Sequence, residues 1–497
     1  MRWRGPFADS YFAAAALVIF ALVPYLALAS AFQPLQTQIA TGLHLSSQTL
    51  ANTSGLANAG YAFGTVLAVQ LAVRTRPRRL LALYAAGLVI GSVMTALAEP
   101  PALFIAGHIL QGLFTSLMLI AAVPPLVIGW PAKRMPITAG IMNLCIFGAV
   151  AAGPVIGQMQ LSAHAWRPLF WLATGSAVLA LIFVILTWED ESAPQPRGSW
   201  DPMSLLLAGG GSAVAFFGAS ELTSHPFLST ITFLPLVAGV SAVVLLVIHQ
   251  ATISDPLMPM RQLITTKPTA GILAAMAAGA SSVPAIDLVE QAIKPSGSPA
   301  HLGSLFWPFF GGAVVMAVVF GLVLKTRGLI VLVLIGLTVL AGGVATLTGA
   351  AHGPHTLVAF GSGMVGVGVG SSVAPALFMA GYSVRAMYIQ RVLALVELLR
   401  AVAAFLTAPI LLHLALSTGG ITGAGTETAL WICFGLAAGG ALLSLYVLIL
   451  GRARPQAPDI ERWQREGDVP AWDSPPLAAG IRSPKSRRGS AHYLPNG

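Results

Sequence analysis

Apolar residues along this chain come in runs of about 20, the length that crosses ~30 Å of hydrocarbon as a helix. Runs bounded by polar, Pro or Gly breaks predict spans near 12–32, 52–74, 79–98, 101–129, 137–158 and 166–187. Two more follow near 203–222 and 229–249, then six at 268–290, 303–325, 328–350, 355–381, 387–414 and 428–450. The pattern predicts an all-α polytopic membrane protein of about 14 transmembrane helices. It divides into a short N-terminus (1–11), a six-helix bundle (12–187), two linker helices (203–249) and a second six-helix bundle (268–450). The first span is too long for a signal-peptide core and is expected to stay in the mature protein.

Composition closes off other classes. Of 497 residues 56% are hydrophobic and 9% charged, with mean hydropathy +0.81, whereas a soluble domain carries about 25% charged residues. A water-soluble enzyme is excluded. An integral membrane transferase is disfavoured, because neither of the longest connections, 188–202 and 250–267, is long enough to fold as an aqueous catalytic domain. A channel is disfavoured too, since no repeated ring of polar residues appears. Cys145 and Cys433 both lie in apolar runs, so no disulfide framework and no cysteine metal site is expected, and no cofactor.

The formal charge of +9 reports topology and not nucleic-acid binding. With both termini cytoplasmic, sixteen basic residues of the bundle, from Arg2 to Arg452, face inward, and only Arg167 and Lys294 face outward. The asymmetry predicts a multi-pass membrane protein with both termini in the cytoplasm. From Ala453 onward the composition changes, with 12 charges in 45 residues against 31 in the preceding 452, which predicts a disordered cytoplasmic tail over 453–497.

Several motifs run in order along the first half. The loop after the second span reads Leu71-Ala72-Val73-Arg74-Thr75-Arg76-Pro77-Arg78-Arg79-Leu80-Leu81. It resembles the loop motif G-x-L-A-D-R-x-G-R-[RK]-x-x-L of the major facilitator superfamily, with Val73 where that family has Asp. In the fourth span His108-Ile109-Leu110-Gln111-Gly112 resembles R-x-x-Q-G, with His in place of Arg. In the fifth, Gly148-Ala149-Val150-Ala151-Ala152-Gly153-Pro154-Val155-Ile156-Gly157 resembles the antiporter signature G-x-x-x-G-P-x-x-G-G, matched at Gly153, Pro154 and Gly157. Trp166-Arg167-Pro168-Leu169-Phe170 resembles the W-R-x-x-F opening of the sixth span, and Ser298-Pro299 to Pro308 the opening of the tenth. The order and the six, two, six arrangement resemble the fourteen-helix drug:proton antiporters. The resemblance implies a proton-coupled exporter of small apolar or cationic molecules that works by alternating access, a monomer of a bacterial inner membrane whose partners are lipid, protons and a small-molecule substrate. Export or symport of one metabolite or siderophore is the alternative. Gly361-Ser362-Gly363-Met364-Val365-Gly366 spells a dinucleotide fingerprint, but it sits in an apolar span with no preceding strand and fits close helix packing instead.

An ionisable residue within a span costs about 2.5–3.5 kcal/mol on insertion scales, so each should face a partner or water. Glu397 and Arg400, three apart in the thirteenth span, suit either an ion pair or proton coupling. Asp287 and Glu290 share a helix face near the outer end of the ninth span. A histidine in water titrates near neutral pH, and His108 is placed within reach of a water-filled cavity, which makes it a candidate for taking up or releasing a proton. The first span lacks the acid that many drug:proton antiporters carry, which leaves Glu397 and His108 as the leading coupling candidates. Tyr25, Gln33, Asn58, Tyr61, Gln111 and Asn143 are candidates for lining the cavity or for bonds between helices.

Overall fold

The computed structural model describes residues 4–189, 200–350, 354–477 and 479. The first group of helices comprises α1 (Tyr11–Gly42), α2 (Ser47–Ala72), α3 (Pro77–Ala96), α4 (Pro101–Ile128), α5 (Met135–Asn143), α6 (Ala149–Ser162) and α7 (Arg167–Leu186). Then come α8 (Pro202–Ser220), α9 (Thr230–Thr252) and the single turn α10 (Met260–Leu263). The last group is α11 (Thr266–Ile293), α12 (Pro299–Ser304), α13 (Trp307–Val323), α14 (Leu329–Ala350), α15 (His355–Tyr382), α16 (Ile389–Thr418), α17 (Ala424–Leu450) and α18 (Ile460–Glu466). The fifth predicted span is interrupted: Leu144–Gly148 forms a π-helical turn between α5 and α6.

Among the described residues, 13 helical stretches are long and apolar enough to cross a membrane. The helix α2 is 26 residues long but falls outside that set because it carries Gln, Asn, Ser and Thr. Those groups have work at its start, where Gln48 Nε2 donates to Ser220 O at 3.3 Å and Asn52 Nδ2 to Glu221 Oε1 at 3.2 Å. Lipid offers no hydrogen bonds, so such polar groups belong where another helix meets them.

Helix starts follow the local sequence. Ser10 and Ser46 cap α1 and α2 by accepting from Ala13 N and Thr49 N, and prolines open α3, α4, α7 and α8 where the missing N–H costs nothing. Asp201 caps α8 through Ser204 N at 3.0 Å and also accepts from Ser204 Oγ, Gln250 Nε2 and His249 Nε2. Burial pulls its carboxyl upward, but these bonds outweigh that and hold it below the usual carboxylate range. A lowered carboxyl stabilises the fold at neutral pH and loses that contribution as pH falls through the lowered value. Asp201→Ala should destabilise the purified protein by about 1 kcal/mol, read as an earlier thermal melt at neutral pH, with the gap to the parent narrowing in acid.

In the first group α1 packs on α6 and α7, α2 on α4, and α3 on α4 and α7; in the last group α11 packs on α15, α16 and α17, and α14 on α15 and α17. The pair α8 and α9 packs together, with α8 also against α2. The two groups meet through α2 with α16, α5 with α13, and α6 with α12. Gly361 and Gly366 press against Leu347 of α14 and the Phe309 carbonyl of α13, so the glycine run of α15 serves close packing.

The chain after α17 corrects one expectation. Residues 453–477 are folded against the bundle: Trp463 is fully buried and Trp472 is 5% exposed, beneath the end of α15. Trp463 stacks edge-on with Tyr382 at 5.3 Å, and Ala471 N donates to Tyr382 O at 2.9 Å. Charge density alone suggested solvation, but the two tryptophans supply apolar area that overrides it. The basic run from Arg482 to Arg488 lies outside the described residues.

Candidate functional site

Between the two groups lies a cavity of ≈ 260 Å³. Its deep end is set by Phe147 of the π turn, Gly279 of α11, Phe309 of α13 and Arg400 of α16. Val150 of α6 and Val369 of α15 also line it, and the rest of the lining comes from the middle and late parts of α1, α8, α11 and α16 and the early parts of α2 and α4, so it runs toward the end where α1 turns into α2. A second hollow at Gln36, Ser47 and Leu50 continues it to that surface. The opposite face is shut. There α5 and α13 approach closely, with Gly140 near Ala317 O and Gly321 near Pro136 O, and the folded segment 453–477 lies across it.

The expected charges divide into two sorts. Arg400 donates from Nη2 and Nε to Glu397 Oε2 at 2.6 and 3.1 Å, the two side chains being 6% and 1% exposed. The pair forms within one helix, and of the two only Arg400 lines the cavity, with its guanidinium 5.5 Å from the Phe147 ring of the other group. Asp287 lines the cavity and is half-buried. Glu290, one turn on, is buried and accepts from Gln158 Nε2 of α6 at 2.8 Å. That bond joins the two groups of helices near the cavity mouth, with Gly303 of α12 seated against Gln158. The fifth-span motif has Gly at two positions where this chain has Ala149 and Gln158, and the second of these departures is the only sequence signal at Gln158.

His108 reaches the cavity from an aromatic cage. Its ring stacks on Phe32 at 4.9 Å and Phe104 at 5.9 Å, with Phe170 edge-on at 6.5 Å. Gln111 Nε2 donates to Ser92 Oγ at 3.1 Å, which leaves Gln111 Oε1 to accept, so the His108 Nδ1 3.3 Å away carries the proton. Trp166 and Phe170 of the sixth-span motif close the cage, and Arg167 caps α3 by donating to Ala96 O and Ala98 O.

The remaining candidates separate as well. Tyr25, Gln33 and Asn58 line the cavity. Tyr61 stacks on Tyr25 at 6.5 Å and edges Phe405 at 6.3 Å, and Gln111 serves His108. Asn143 bonds across the groups, donating to Gly370 O at 3.0 Å. In the loop motif the Arg74 guanidinium lies 4.1 Å from the Trp200 ring, Arg78 donates to Thr187 Oγ1 at the end of α7, and Arg79 is exposed. Gly153, Gly157 and Pro154 lie on α6 where it crosses α1, and Gly148 ends the π turn. Ser282, Gln291 and Phe405 also line the cavity; one sequence does not separate such residues from packing ones, since only the crossing of helices decides which face turns inward.

Comparison with known proteins places this architecture. The family model for the Major Facilitator Superfamily matches residues 11–286, more than half of the chain. The chain belongs to the major facilitator superfamily. Curated relatives are similar over part of their length. The chain is 28% identical over 176 residues to the lincomycin resistance protein LmrB of Bacillus subtilis (strain 168), covering 35% of this chain and 36% of that protein. It is 24% identical over 247 residues to the tetracenomycin C resistance and export protein of Streptomyces glaucescens, covering 49% and 46%. The matches thus span less than half the length of these two relatives. Among solved structures, a POT family transporter in complex with a thioalcohol-conjugated peptide superposes with a TM-score of 0.63 at 14% identity, covering 89% of this chain and 96% of that one. The proton:xylose symporter XylE gives a TM-score of 0.60 at 13% identity, covering 88% and 95%. These likenesses establish the fold of this major facilitator chain. Its family is one of transporters and not of enzymes.

Proposed function

We propose that this chain exports small apolar or cationic molecules in exchange for protons, by alternating access between its two groups of helices. The observation that carries this is the cavity between the groups: aromatic at its deep end, with polar side chains set among apolar ones along its walls, holding one acid, Asp287, on its surface, and leading to one face only. An apolar body would rest on Phe147, Phe309 and Phe405, and a cationic head would meet Asp287. The relatives named for antibiotic resistance and export, and the Gly153-Pro154-Val155-Ile156-Gly157 match, support the outward direction.

The first coupling candidate joins the two halves. Glu290 as a carboxylate accepts from Gln158 and ties α11 to α6. A proton taken from the mouth side neutralises the carboxylate and weakens this charge-assisted bond, which favours parting at the mouth or closing according to which state keeps the bond. Glu397 and His108 are the second and third coupling candidates, Glu397 acting through Arg400. Both termini on the cytoplasmic side, a bacterial inner membrane, a monomer and the six, two, six division complete the proposal, supported by the sixteen-to-two distribution of basic residues.

The test is proton release from energised inverted vesicles on adding a panel of apolar cations and neutral apolar molecules. We expect release with the parent, loss of the response in Glu290→Gln, and loss for cations alone in Asp287→Asn. Silence of the parent across the panel, or full coupling in a Glu290→Gln, Glu397→Gln, His108→Ala triple variant, would sink the proposal.

A further inference from the structure

The segment 453–477 does more than cover apolar surface, because it is held unequally by the two groups of helices. Nearly all of its bonds go to the last group. Trp463 Nε1 donates to Val384 O at 2.9 Å and Trp472 Nε1 to Ser383 Oγ at 2.7 Å, just past the end of α15. Thr266 N donates to Pro475 O at 2.9 Å and Lys267 N to Ser474 Oγ at 3.0 Å, at the start of α11. Lys267, fully buried, sends its ammonium to Gln456 Oε1 at 2.9 Å and over the Trp472 ring at 4.4 Å.

Among the described residues, a hydrogen bond also ties the segment to the first group. Gln464 Nε2 of α18 donates to Val127 O at 2.8 Å. Val127 lies in the last turn of α4, one of the four carbonyls that a helix leaves without an internal partner. The short helix α18 also touches the turn at Ala132–Arg134 just beyond. A firm mount on one half and one neutral hydrogen bond to the other is the construction of a latch. It sits on the shut face, opposite the cavity mouth.

We propose that residues 453–477 are a latch that holds the shut face closed, and that the Gln464 to Val127 bond must break before the cavity can open there. The inference rests on the alternating-access part of the proposed function but not on proton coupling or on any substrate. The segment rides with the last group of helices, so when the halves part at this face Gln464 leaves the α4 end while the tryptophans stay docked. A neutral hydrogen bond shifts a two-state balance by roughly 2- to 10-fold, enough to set resting occupancy without blocking turnover.

The experiment uses the full chain in nanodiscs with a reporter cysteine, Met135→Cys, at the start of α5, where the parent side chain is 1% exposed on the shut face. Cys145 and Cys433 are buried and provide the background. The rate of labelling by a bulky hydrophilic maleimide is read with no substrate and no gradient. Gln464→Ala should raise it roughly 2- to 10-fold, and Trp463→Ala, which loosens the mount, should raise it at least as much. Unchanged labelling in Gln464→Ala, with melting as in the parent, would overturn the latch, even where Trp463→Ala fails to fold. Since no transport is measured, a failed vesicle assay would leave this result standing on its own.

Discussion

Arg400→Leu should destabilise the protein by about 3–5 kcal/mol, because it strands the Glu397 carboxylate, 1% exposed, without the guanidinium that now satisfies it. The second oxygen, Oε1, has no bond partner that could take up the loss. The purified variant should melt far earlier than the parent. Adding Glu397→Gln should return most of the loss, since a buried ion pair exchanged as a unit for neutral groups is close to neutral in stability. Transport should not return with it, because Arg400, and not Glu397, lines the cavity. Recovery of both would mean the pair is purely structural, and melting of Arg400→Leu like the parent would mean the pair contributes little to the fold.

How much of this was legible beforehand depends on the physics behind each feature. Span positions were legible because hydrocarbon demands about 20 apolar residues wherever a helix crosses. Even so, α2 falls short on composition and is held by polar bonds from Gln48 and Asn52 that no hydropathy pattern encodes. The Glu397 to Arg400 pair was legible as one of two alternatives from i, i+3 spacing alone. The partnership of Glu290 with Gln158 spans 132 positions and depends on the packing that brings the ends of α6 and α11 within reach of each other, which periodicity does not specify. The same holds for the cavity, where Gln33 and Asn58 were expected but Ser282 and Gln291 were not. In the segment after α17, charge count outweighed two tryptophans in the sequence, whereas in the fold two docked indoles decide the outcome.

The second large effect is expected on α6, at the motif that resembles the antiporter signature. A Cβ at Gly157 would stand 2.5 Å from Pro34 Cγ and 2.9 Å from Ala31 O, and one at Gly153 would meet Ser30 and stand 2.9 Å from Ala31 N, all on α1. These neighbours are largely backbone and a proline ring, so they cannot swing aside, and inserting carbon there forces α1 off α6. Overpacking of this kind costs typically 1–3 kcal/mol. Gly153→Val and Gly157→Val should therefore cut the yield of folded, monodisperse protein sharply. The helix α1 carries Tyr25 and Gln33 to the cavity, so any protein that folds should also lose transport. Gly175→Ala, where an added Cβ meets nothing within 4 Å, is the matched control and should behave as the parent. Two further variants separate packing from bending. If the motif acts by close approach, Gly153→Ala is partly rescued by Ser30→Gly, which removes the Cβ it strikes, and Pro154→Ala does little. If it acts by bending, Pro154→Ala is the damaging change and Ser30→Gly rescues nothing. The first pattern is expected, because α6 presses on α1 through both glycines one turn apart, and that contact holds whether or not the proline bends the helix between them.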